Sequence, residues 1–304
     1  MARLVAGERR AIAQAITELE RDGSSAPALL AAMQPHLGRA LVIGVTGPPG
    51  AGKSTLVDAF TRHVRNAGRS VGILAVDPSS PVSGGSILGD RIRMSSARDD
   101  DLVFMRSLAS GGHLGGLSPA AVRAIDVLDA AGKELVILET VGTGQSEIDI
   151  AEIADVRVVL AAPGLGDDIQ AMKSGLLEIA DVLVVNKADR EGADETVRHL
   201  VGAMATRSGA SAGTPVAVLA TVALTGKGIP ALASEIDRIA ESRIAVPPRE
   251  RRRRRARYIL ARATAELITR RLKSGKGAEL EAVCDGLLGG TIGLGEAARR
   301  LLDG

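Results

Sequence analysis

Aromatic residues are almost absent from this sequence, whose 304 residues include no tryptophan, one tyrosine and two phenylalanines. Proteins that bind single-stranded nucleic acid commonly stack bases on aromatic side chains, so this mode of recognition is nearly excluded. Hydrophobic residues still make up 45% of the chain, which is enough for one large core. That core must be built mainly from alanine, leucine, isoleucine and valine.

Cysteine is equally scarce, because Cys284 is the only one in the chain. A single cysteine forms no disulfide within a chain, and it excludes a cysteine-based metal site within one chain. The histidines are widely separated, and no His/Cys tract accompanies them. This distribution argues against a protein that delivers nickel or another metal, and the four positions are His36, His63, His113 and His199.

Long apolar runs are also missing. No stretch approaches the ~20 residues that a membrane-spanning helix needs. The N-terminal sequence MARLVAGERRAIAQAITELE lacks the apolar segment of a secretory signal peptide. We therefore expect a soluble, cytoplasmic protein that does not contact the membrane.

Short valine-rich apolar runs dominate the chain from Arg39 onward. Examples are ALVIGVTG, ELVILET and DVLVVNKAD, and most runs are separated by segments of helical length such as 54–67, 118–131 and 168–180. Continuous apolar strands that alternate with helices predict an α/β fold, with a mainly parallel sheet covered on both faces. Ligands of such sheets bind beyond the carboxyl ends of the strands.

Three regions are predicted along the chain. Residues 1–38 form an N-terminal helical segment, residues 39–244 form the sheet domain, and residues 245–304 form C-terminal helices that begin near the sequence AVPPRE. Helical spacing places three apolar side chains of the first region on one face, namely Ile12, Ile16 and Leu19. Three others suggest an apolar stripe in the last region, where a second copy of the chain would cover it: Leu267, Ile268 and Leu272.

The sequence GPPGAGKST fits the pattern G-x-x-x-x-G-K-[ST] of a P-loop, and it lies between a predicted strand and a predicted helix. Its backbone N–H groups are expected to wrap phosphates, and the start of the helix adds positive potential. The lysine would reach the β- and γ-phosphates, and the serine would offer its hydroxyl to Mg²⁺. The predicted phosphate-binding residues are Gly47, Pro48, Pro49, Gly50, Ala51, Gly52, Lys53, Ser54 and Thr55.

The tetrapeptide NKAD follows another apolar run and comprises Asn186, Lys187, Ala188 and Asp189. In nucleotide enzymes, N-K-x-D at a strand end binds guanine, because the aspartate accepts hydrogen bonds from both the ring N1–H and the exocyclic amine. Adenine offers no such pair. The tetrapeptide is also compatible with an ordinary surface loop. A later strand end, ATVALTG, lies where such proteins place a short loop whose backbone also contacts the base.

The run LVILET ends on an acid, Glu139, and glycines follow it in VGTG. A P-loop enzyme needs an acid at the end of a neighbouring strand to hold Mg²⁺, so Glu139 is the candidate, and the N–H of Gly142 could sense the γ-phosphate. Two further acids, Asp77 and Asp90, compete for the same metal. Glu139 could instead cap a turn, and Asp77 and Asp90 could cap a turn or pair with Arg91 or Arg93.

These segments together resemble the MeaB/ArgK family of P-loop GTPases. The resemblance rests on GPPGAGKST, VDPSSPVSGGSILGDRIRM, ETVGTGQSE, PGLGDDIQAMKSGLLEIADVLVVNKAD and LTGKGI, and it covers nearly the whole chain. It implies a homodimeric GTPase that hydrolyses GTP to GDP with Mg²⁺. It further implies a chaperone that gates cofactor loading of an adenosylcobalamin-dependent acyl-CoA mutase, such as methylmalonyl-CoA mutase, and protects that mutase.

The resemblance also assigns roles to residues. It places Lys53 and Ser54 on phosphate and Mg²⁺, and three acids around the metal, namely Asp77, Asp90 and Glu139. It places the guanine on Asn186, Lys187 and Asp189, and against a loop that usually reads S-A-L but here is Val222, Ala223 and Leu224. Lys173 lies in a charged stretch that the family uses as a nucleotide- and partner-responsive loop, although a solvated helix lysine is the alternative. The pattern contains no arginine finger, so slow intrinsic hydrolysis that a partner accelerates is expected.

Two other functions remain open from the sequence. The run Arg251–Arg255 lies in a basic C-terminal region with 14 Lys/Arg and 7 Asp/Glu from residue 249 to the end. Such a run could bind nucleic acid through salt-sensitive phosphate contacts, but the start of a solvated or subunit-bridging helix is favoured. The main alternative function is an ATP-dependent small-molecule or protein kinase, or the transport-linked ATPase that the name ArgK reflects.

Overall fold

The computed structural model describes residues 1–77, 100–109, 117–140, 146–164, 175–208, 215–274 and 278–303. Within these ranges the chain forms two compact units, Met1–Ile259 and Leu260–Gly304. The functional boundaries predicted after residues 38 and 244 stay a prediction, because compactness does not say which segment binds nucleotide or a second chain.

A seven-stranded sheet forms the centre of the first unit, and every pair of neighbouring strands is parallel. The strand order is β3-β2-β4-β1-β5-β6-β7. This arrangement confirms the predicted α/β fold with a mainly parallel sheet. The strands are β1 (Leu41–Thr46), β2 (Val71–Asp77), β3 (Val103–Ala109), β4 (Leu135–Thr140), β5 (Val156–Ala161), β6 (Val182–Val185) and β7 (Ala217–Ala220).

Helices cover both faces of this sheet. Those of the first unit are α1 (Ala2–Val5), α2 (Arg9–Glu20), α3 (Ala26–Met33), α4 (Lys53–Asn66), α5 (Pro119–Ala130), α6 (Ser146–Ile153), α7 (Leu176–Ile179), α8 (Ala193–Ser208) and α9 (Ile229–Ile244). A 3₁₀ turn, Gln34–His36, follows α3. Helix α10 (Pro248–Ser274) begins in the first unit and ends in the second, which also contains α11 (Ala278–Leu288) and α12 (Leu294–Asp303).

Strand β1 shows how one short apolar sequence contributes to two cores. Leu41, Ile43 and Val45 lie in the core that includes α4 and α9, whereas Val42 lies in the core that includes α5 and the N-terminal helices. Successive strand residues point to opposite faces, so a strand that is buried on both sides must be apolar throughout. At Gly44 a Cβ atom would lie 2.5 Å from Ile150, and the glycine therefore lets α6 approach the sheet closely.

The N-terminal helices pack against the sheet domain. Ile12, Ile16 and Leu19 are all buried, and they belong to the same core as Ile125 and Leu128 of α5. The predicted apolar face of α2 is therefore confirmed. Each side chain of this size contributes roughly 1.5–3 kcal/mol when fully buried.

A buried acid fastens the start of α10 to the sheet. The carboxylate of Asp155, which directly precedes β5, accepts hydrogen bonds from the Arg251 guanidinium at 3.2 Å, the Arg255 guanidinium at 3.0 Å and the N–H of Val42 at 3.0 Å. Asp155, Arg251 and Arg255 are buried. The interpretation of the arginine run as a solvated helix is therefore wrong for these two positions, which point towards the sheet because they are four residues apart on one helical face.

The second unit consists of helices with many exposed leucines. Val283 and Ala297 are buried, whereas Leu260, Leu267, Leu288 and Leu294 are exposed. Of the predicted apolar stripe, Leu267 is exposed by 64% and Leu272 by 36%. These side chains are large enough to form an apolar surface on this unit.

No helix within the ranges given above is both long and apolar enough to cross a bilayer.

Candidate nucleotide site

The loop between β1 and α4 has a shape that two of its glycines make possible. Gly47 and Gly52 have φ values of 140° and 90°, which disfavour residues with a Cβ atom. Added Cβ atoms would lie 2.4 Å from the carbonyl oxygen of Leu160 and 2.5 Å from Nδ2 of Asn186, respectively. The P-loop therefore needs glycine both for its conformation and for its close approach to neighbouring strands.

Lys53, the first residue of α4, is buried and points back over the loop. Its Nζ donates hydrogen bonds to the carbonyl oxygens of Gly47 at 2.8 Å and Pro48 at 3.0 Å. The ammonium group is thus held at the loop that is expected to bind phosphates. Because these hydrogen-bond acceptors are neutral carbonyls, a phosphate oxygen would be a stronger partner for the same charge.

Ser54 and Glu139, both predicted to hold Mg²⁺, meet in the structure. Ser54 Oγ donates a hydrogen bond of 2.6 Å to Oε1 of Glu139. Glu139 is buried, and its backbone is in register with Val45 of β1 and Ala75 of β2. A hydroxyl and a carboxylate at the start of the P-loop helix are oxygen ligands of the kind that Mg²⁺ prefers. These two residues therefore fit a magnesium site.

Four other predicted residues cannot be placed in the same way. Asp77 ends β2, where its backbone is paired with Ala109 of β3, but its side chain lies outside the described part of the structure. Asp90, Gly142 and Lys173 lie outside the described residues altogether. Their predicted roles at the metal and the γ-phosphate stay predictions.

Asn186 connects three segments of the predicted site. Its Nδ2 donates to the carbonyl oxygen of Ala51 in the P-loop at 3.0 Å. Its Oδ1 accepts hydrogen bonds from the hydroxyl of Thr221 and the N–H of Ala223, both at 3.2 Å. The sequence predicted that this side chain would lie on guanine, but it did not reveal that the amide joins the P-loop to the loop after β7. No local pattern in one sequence indicates contacts between residues so far apart.

The residue after Asn186 in NKAD, Lys187, has a backbone conformation that is unusual for a residue other than glycine. Lys187 has φ of 56°, a left-handed conformation found in only a few per cent of non-glycine residues. Its Nζ donates to the carbonyl oxygen of Gly50 at 2.6 Å, so it also contacts the P-loop. Asp189 is exposed, which leaves its carboxylate accessible to a ligand.

The loop after β7 is fixed mainly through its backbone. The N–H of Val222 donates to the carbonyl oxygen of Lys227 at 2.9 Å. Val222 and Ala223 are buried, whereas Leu224 is exposed by 82%. A valine therefore fits in the place where the resembling family usually has serine, since its side chain is buried and the N–H groups of the loop keep their partners.

Comparison with known proteins gives consistent results. A sequence model of the family described as methylmalonyl Co-A mutase-associated GTPase MeaB matches residues 12–276. A Pyrococcus horikoshii protein with a provisional GTPase name is 49% identical over 236 residues, which cover 77% of this chain and 74% of that protein. GTPase ArgK of Escherichia coli is 47% identical over 191 residues, which cover 62% of this chain and 58% of that protein.

A solved structure supports the fold over nearly the whole length. The crystal structure of a LAO/AO transport system kinase matches 99% of this chain and 95% of that chain, with a TM-score of 0.74 and 28% sequence identity. The names of the sequence relatives favour GTP over the ATP-dependent alternative. With its P-loop, its NKAD tetrapeptide beside that loop and this family match, the chain belongs to the MeaB family of methylmalonyl-CoA mutase-associated GTPases.

Proposed function

We propose that this GTPase is a nucleotide-dependent chaperone that gates cofactor loading of an adenosylcobalamin-dependent acyl-CoA mutase and protects that mutase. The family description, which names association with methylmalonyl-CoA mutase, supports this choice of partner. The observation that carries the nucleotide dependence is the 2.6 Å hydrogen bond between Ser54 and Glu139. It joins the start of the P-loop helix to the end of β4, where Glu139 is the first residue of ETVGTGQSE.

The phosphate end of the proposed site depends on charge and on oriented N–H groups. Lys53 would exchange its carbonyl partners for the β- and γ-phosphates. Because the N–H of a trans peptide points opposite to its C=O, the hydrogen bond from Asn186 to the carbonyl of Ala51 directs the N–H of Gly52 to the other side. That side is where we place the phosphates.

Ser54 and Glu139 would hold Mg²⁺, with Asp77 and Asp90 as further proposed ligands. The ion supplies charge neutralisation at the β- and γ-phosphate oxygens when it is bound. Gly142 and Lys173 would act in hydrolysis. Among the described residues, Glu139 is buried near the end of a central strand, which fixes the position of its carboxylate.

Guanine would be selected by Asp189. Its carboxylate would accept hydrogen bonds from N1–H and the exocyclic amine of guanine, while Lys187 and Asn186 hold the tetrapeptide against the P-loop through Gly50 and Ala51. The backbone of Val222, Ala223 and Leu224 would complete the base site. The selection of guanine would thus depend on the exposed carboxylate of Asp189, next to two side chains that hydrogen bonds hold against the P-loop.

We also propose that the chain acts as a homodimer through its second unit, whose exposed leucines would be covered by another copy. Two truncations test this assignment. A chain that ends after Ile259 keeps Arg251 and Arg255 on Asp155 and should be a monomer that binds GDP. A chain that ends at Pro247 loses this buried contact as well and should unfold more readily. Sedimentation that shows a dimer for the chain ending after Ile259 would contradict the assignment.

A reconstitution assay tests the proposed function. The full chain is mixed with methylmalonyl-CoA mutase, and two rates are measured: GTP hydrolysis with and without the mutase, and mutase activation by adenosylcobalamin with GTP or GDP present. We expect the mutase to accelerate hydrolysis and GTP to change cofactor loading. The Lys53→Ala variant should lose both effects, whereas Arg10→Gln, an exposed position on α2, should keep them.

Two results would contradict this proposal. Hydrolysis that no adenosylcobalamin-dependent acyl-CoA mutase changes would remove the chaperone role while leaving the GTPase activity intact. Equal binding of ATP and GTP would instead contradict the role of Asp189. The cytoplasmic location stays a prediction.

A further inference from the structure

A strongly basic cavity lies at the start of α10, on the edge of the sheet opposite the P-loop. It has a volume of about 710 Å³ and is bordered by Asp155, which directly precedes β5, whereas the P-loop follows the carboxyl end of the parallel strand β1. Two acids, Asp155 and Glu250, line it. So do six arginines: Arg243, Arg249, Arg251, Arg253, Arg254 and Arg257.

Half of these arginines have acidic partners. Arg243 donates to Asp181 at 3.0 Å, and Arg251 and Arg254 lie 3.2 Å and 3.7 Å from the carboxylate of Asp155. The carboxylate of Asp155 therefore already balances charge within the buried cluster and offers little to the rest of the cavity.

The other half have no acidic partner in the part of the chain that the structure describes. Arg249, Arg253 and Arg257 are exposed and recur every four residues along α10, so they lie on one face of the helix. Like charges at this spacing repel each other on a helix. The first turns of a helix also carry positive potential. A mobile or bound anion is the simplest neutralising partner for this face.

Two buried N–H donors beside the cavity also favour an anionic ligand. The Nε–H groups of Arg251 and Arg254 are buried, and neither has a hydrogen-bond partner within the described ranges. Arg251 is only 8% exposed. A buried N–H without an acceptor is unfavourable, and although these two atoms are themselves covered, other atoms of both residues line the cavity. Burial, together with the nearby Arg255 and Arg157, lowers the pKa of Arg254 against the opposing effect of Asp155, so this guanidinium would gain from an added negative charge.

We propose that this cavity is a second anion site, separate from the P-loop, and that it binds a small molecule through a diphosphate group. Guanidinium groups hold phosphate oxygens in paired, charge-assisted hydrogen bonds. The volume lies within the range of about 300–1,000 Å³ that small-molecule sites occupy. A diphosphate offers more acceptor oxygens than a carboxylate, which matches the three arginines that have no acidic partner among the described residues. No aromatic side chain lines the cavity, so the phosphates would carry the recognition.

Calorimetry with inorganic pyrophosphate tests the proposal. The full chain is first saturated with GDP, so that the P-loop is occupied, and pyrophosphate is then titrated. A second titration uses the Lys53→Ala variant without nucleotide. Saturable binding is expected in both. The same titrations with ADP distinguish a free diphosphate from one that is attached to a nucleoside, and binding of either form at this cavity supports the proposal.

The decisive variant is the double substitution Arg253→Gln and Arg257→Gln. It should weaken pyrophosphate binding by at least about tenfold, because charge-assisted hydrogen bonds are lost. The matched control is Arg10→Gln with Arg21→Gln, two exposed arginines elsewhere, which should bind as the wild type does. Without ligand, the Arg253/Arg257 variant should melt at the same or a higher temperature than the wild type, whereas a purely structural role would lower its melting temperature.

Several outcomes would overturn the proposal. One is the absence of saturable pyrophosphate binding below about 1 mM. Another is an equal loss of affinity in the control variant, which would indicate a general charge effect. Preferential binding of poly-glutamate or RNA over pyrophosphate at these arginines would replace the small molecule with a macromolecular partner.

Discussion

The two edges of the sheet use polar side chains in opposite ways. At the carboxyl edge, donors such as Lys53, Asn186 and Lys187 hold carbonyl oxygens of the P-loop. At the amino edge, the acids Asp129 and Asp155 hold backbone N–H groups, and Asp155 also holds two buried arginines. The hydrogen bond to the carbonyl of Ala51 directs the N–H of Gly52 away from Asn186, whereas Asp129 and Asp155 are both buried.

The two edges therefore differ in whether a side chain can exchange its hydrogen-bond partner for a ligand. A lysine on neutral carbonyls can give up these partners for phosphate, since a charge-assisted hydrogen bond is the stronger one. An acid that is buried with its arginines cannot give up a partner without leaving a charge uncompensated. We therefore expect substitutions at the amino edge to change stability, and substitutions at the carboxyl edge to change affinity and rate.

The largest effect is expected at Asp155. Asp155→Ala leaves Arg251 and Arg255 buried without their acid, and this should lower the free energy of unfolding by about 3–5 kcal/mol. Urea denaturation provides the measurement. Asp237→Ala is the matched control, because Asp237 pairs with Arg69 at 2.8 Å but is exposed by 53%, and an exposed pair contributes only about 0–1 kcal/mol. Similar losses of unfolding free energy for the two variants would contradict the prediction that the buried ion pair contributes more to stability than the exposed one.

Asp189→Asn should have the next largest effect. It should change the affinity and specificity for nucleotides without changing the stability of the fold. The substitution removes the negative charge and replaces one of the two acceptor oxygens with an N–H₂ donor that faces the donors of guanine, so GTP affinity should fall by roughly 100-fold, the scale of two charge-assisted hydrogen bonds. Binding of xanthosine triphosphate should increase, because xanthine has a carbonyl in place of the exocyclic amine, and an asparagine amide can donate to that carbonyl while it accepts from N1–H. Fluorescent-nucleotide titration measures both, and the melting temperature should stay at the wild-type value since Asp189 is exposed. Unchanged GTP affinity would remove Asp189 from the base site.

Glu139→Ala should lower the rate of GTP hydrolysis by at least about tenfold, which corresponds to ~1.4 kcal/mol in the barrier. GDP affinity should be nearly intact because Lys53 and Asp189 remain. Glu139→Gln separates charge from hydrogen bonding, since an amide oxygen can still accept from Ser54 but carries no charge for Mg²⁺. Single-turnover hydrolysis is the measurement. Wild-type rates in both variants would reduce Glu139 to a structural hydrogen bond with Ser54.

The smallest effect is a dependence of stability on pH at Asp181. Burial by itself raises the pKa of this carboxyl, but the hydrogen bonds and charge of Arg157 outweigh it and place the net pKa below the usual 3.8. A depressed pKa in the folded state means that the stabilisation is present above pH 3.8 and is lost as the pH falls through the folded-state value.

Asp181→Asn should therefore cost about 1 kcal/mol at pH 7 and less as the pH falls below 4. Urea denaturation at pH 7 and at acidic pH measures the two losses. Asp237→Asn, at an exposed acid, provides the control. A loss that is the same at both pH values would show that the charge of Asp181 contributes nothing.

Most of the fold could be predicted because its signals are local. The apolar run of β1, the helix that follows GPPGAGKST and the burial of Ile12 and Ile16 all follow from residue periodicity within a few turns. The strand end predicted at ATVALTG is present, since β7 spans Ala217–Ala220 and the residues after it form the loop that contacts Asn186.

The contacts between distant segments could not be predicted. Five consecutive arginines look the same in sequence whether they are solvated or buried, and the acid that determines the difference lies 96 residues earlier, at Asp155. The spacing of Arg251, Arg255 and Tyr258, at three and four residues, was the one available signal, because it defines a single helical face. Tyr258 is indeed buried and donates to the carbonyl oxygen of Leu117 at 2.9 Å.

The separation between Asp155 and Arg251 also has a consequence for synthesis on the ribosome. Chains grow at about 5–20 residues per second, so the acid leaves the peptidyl-transferase centre roughly 5–20 s before its first arginine is added. The P-loop and β4 are made before that interval and NKAD is made within it, but throughout it Asp155 has no cation from α10. We expect the nascent sheet domain to stay susceptible to proteases until the arginines emerge from the exit tunnel. A chaperone that binds nascent chains would have the most time to bind this domain during that interval.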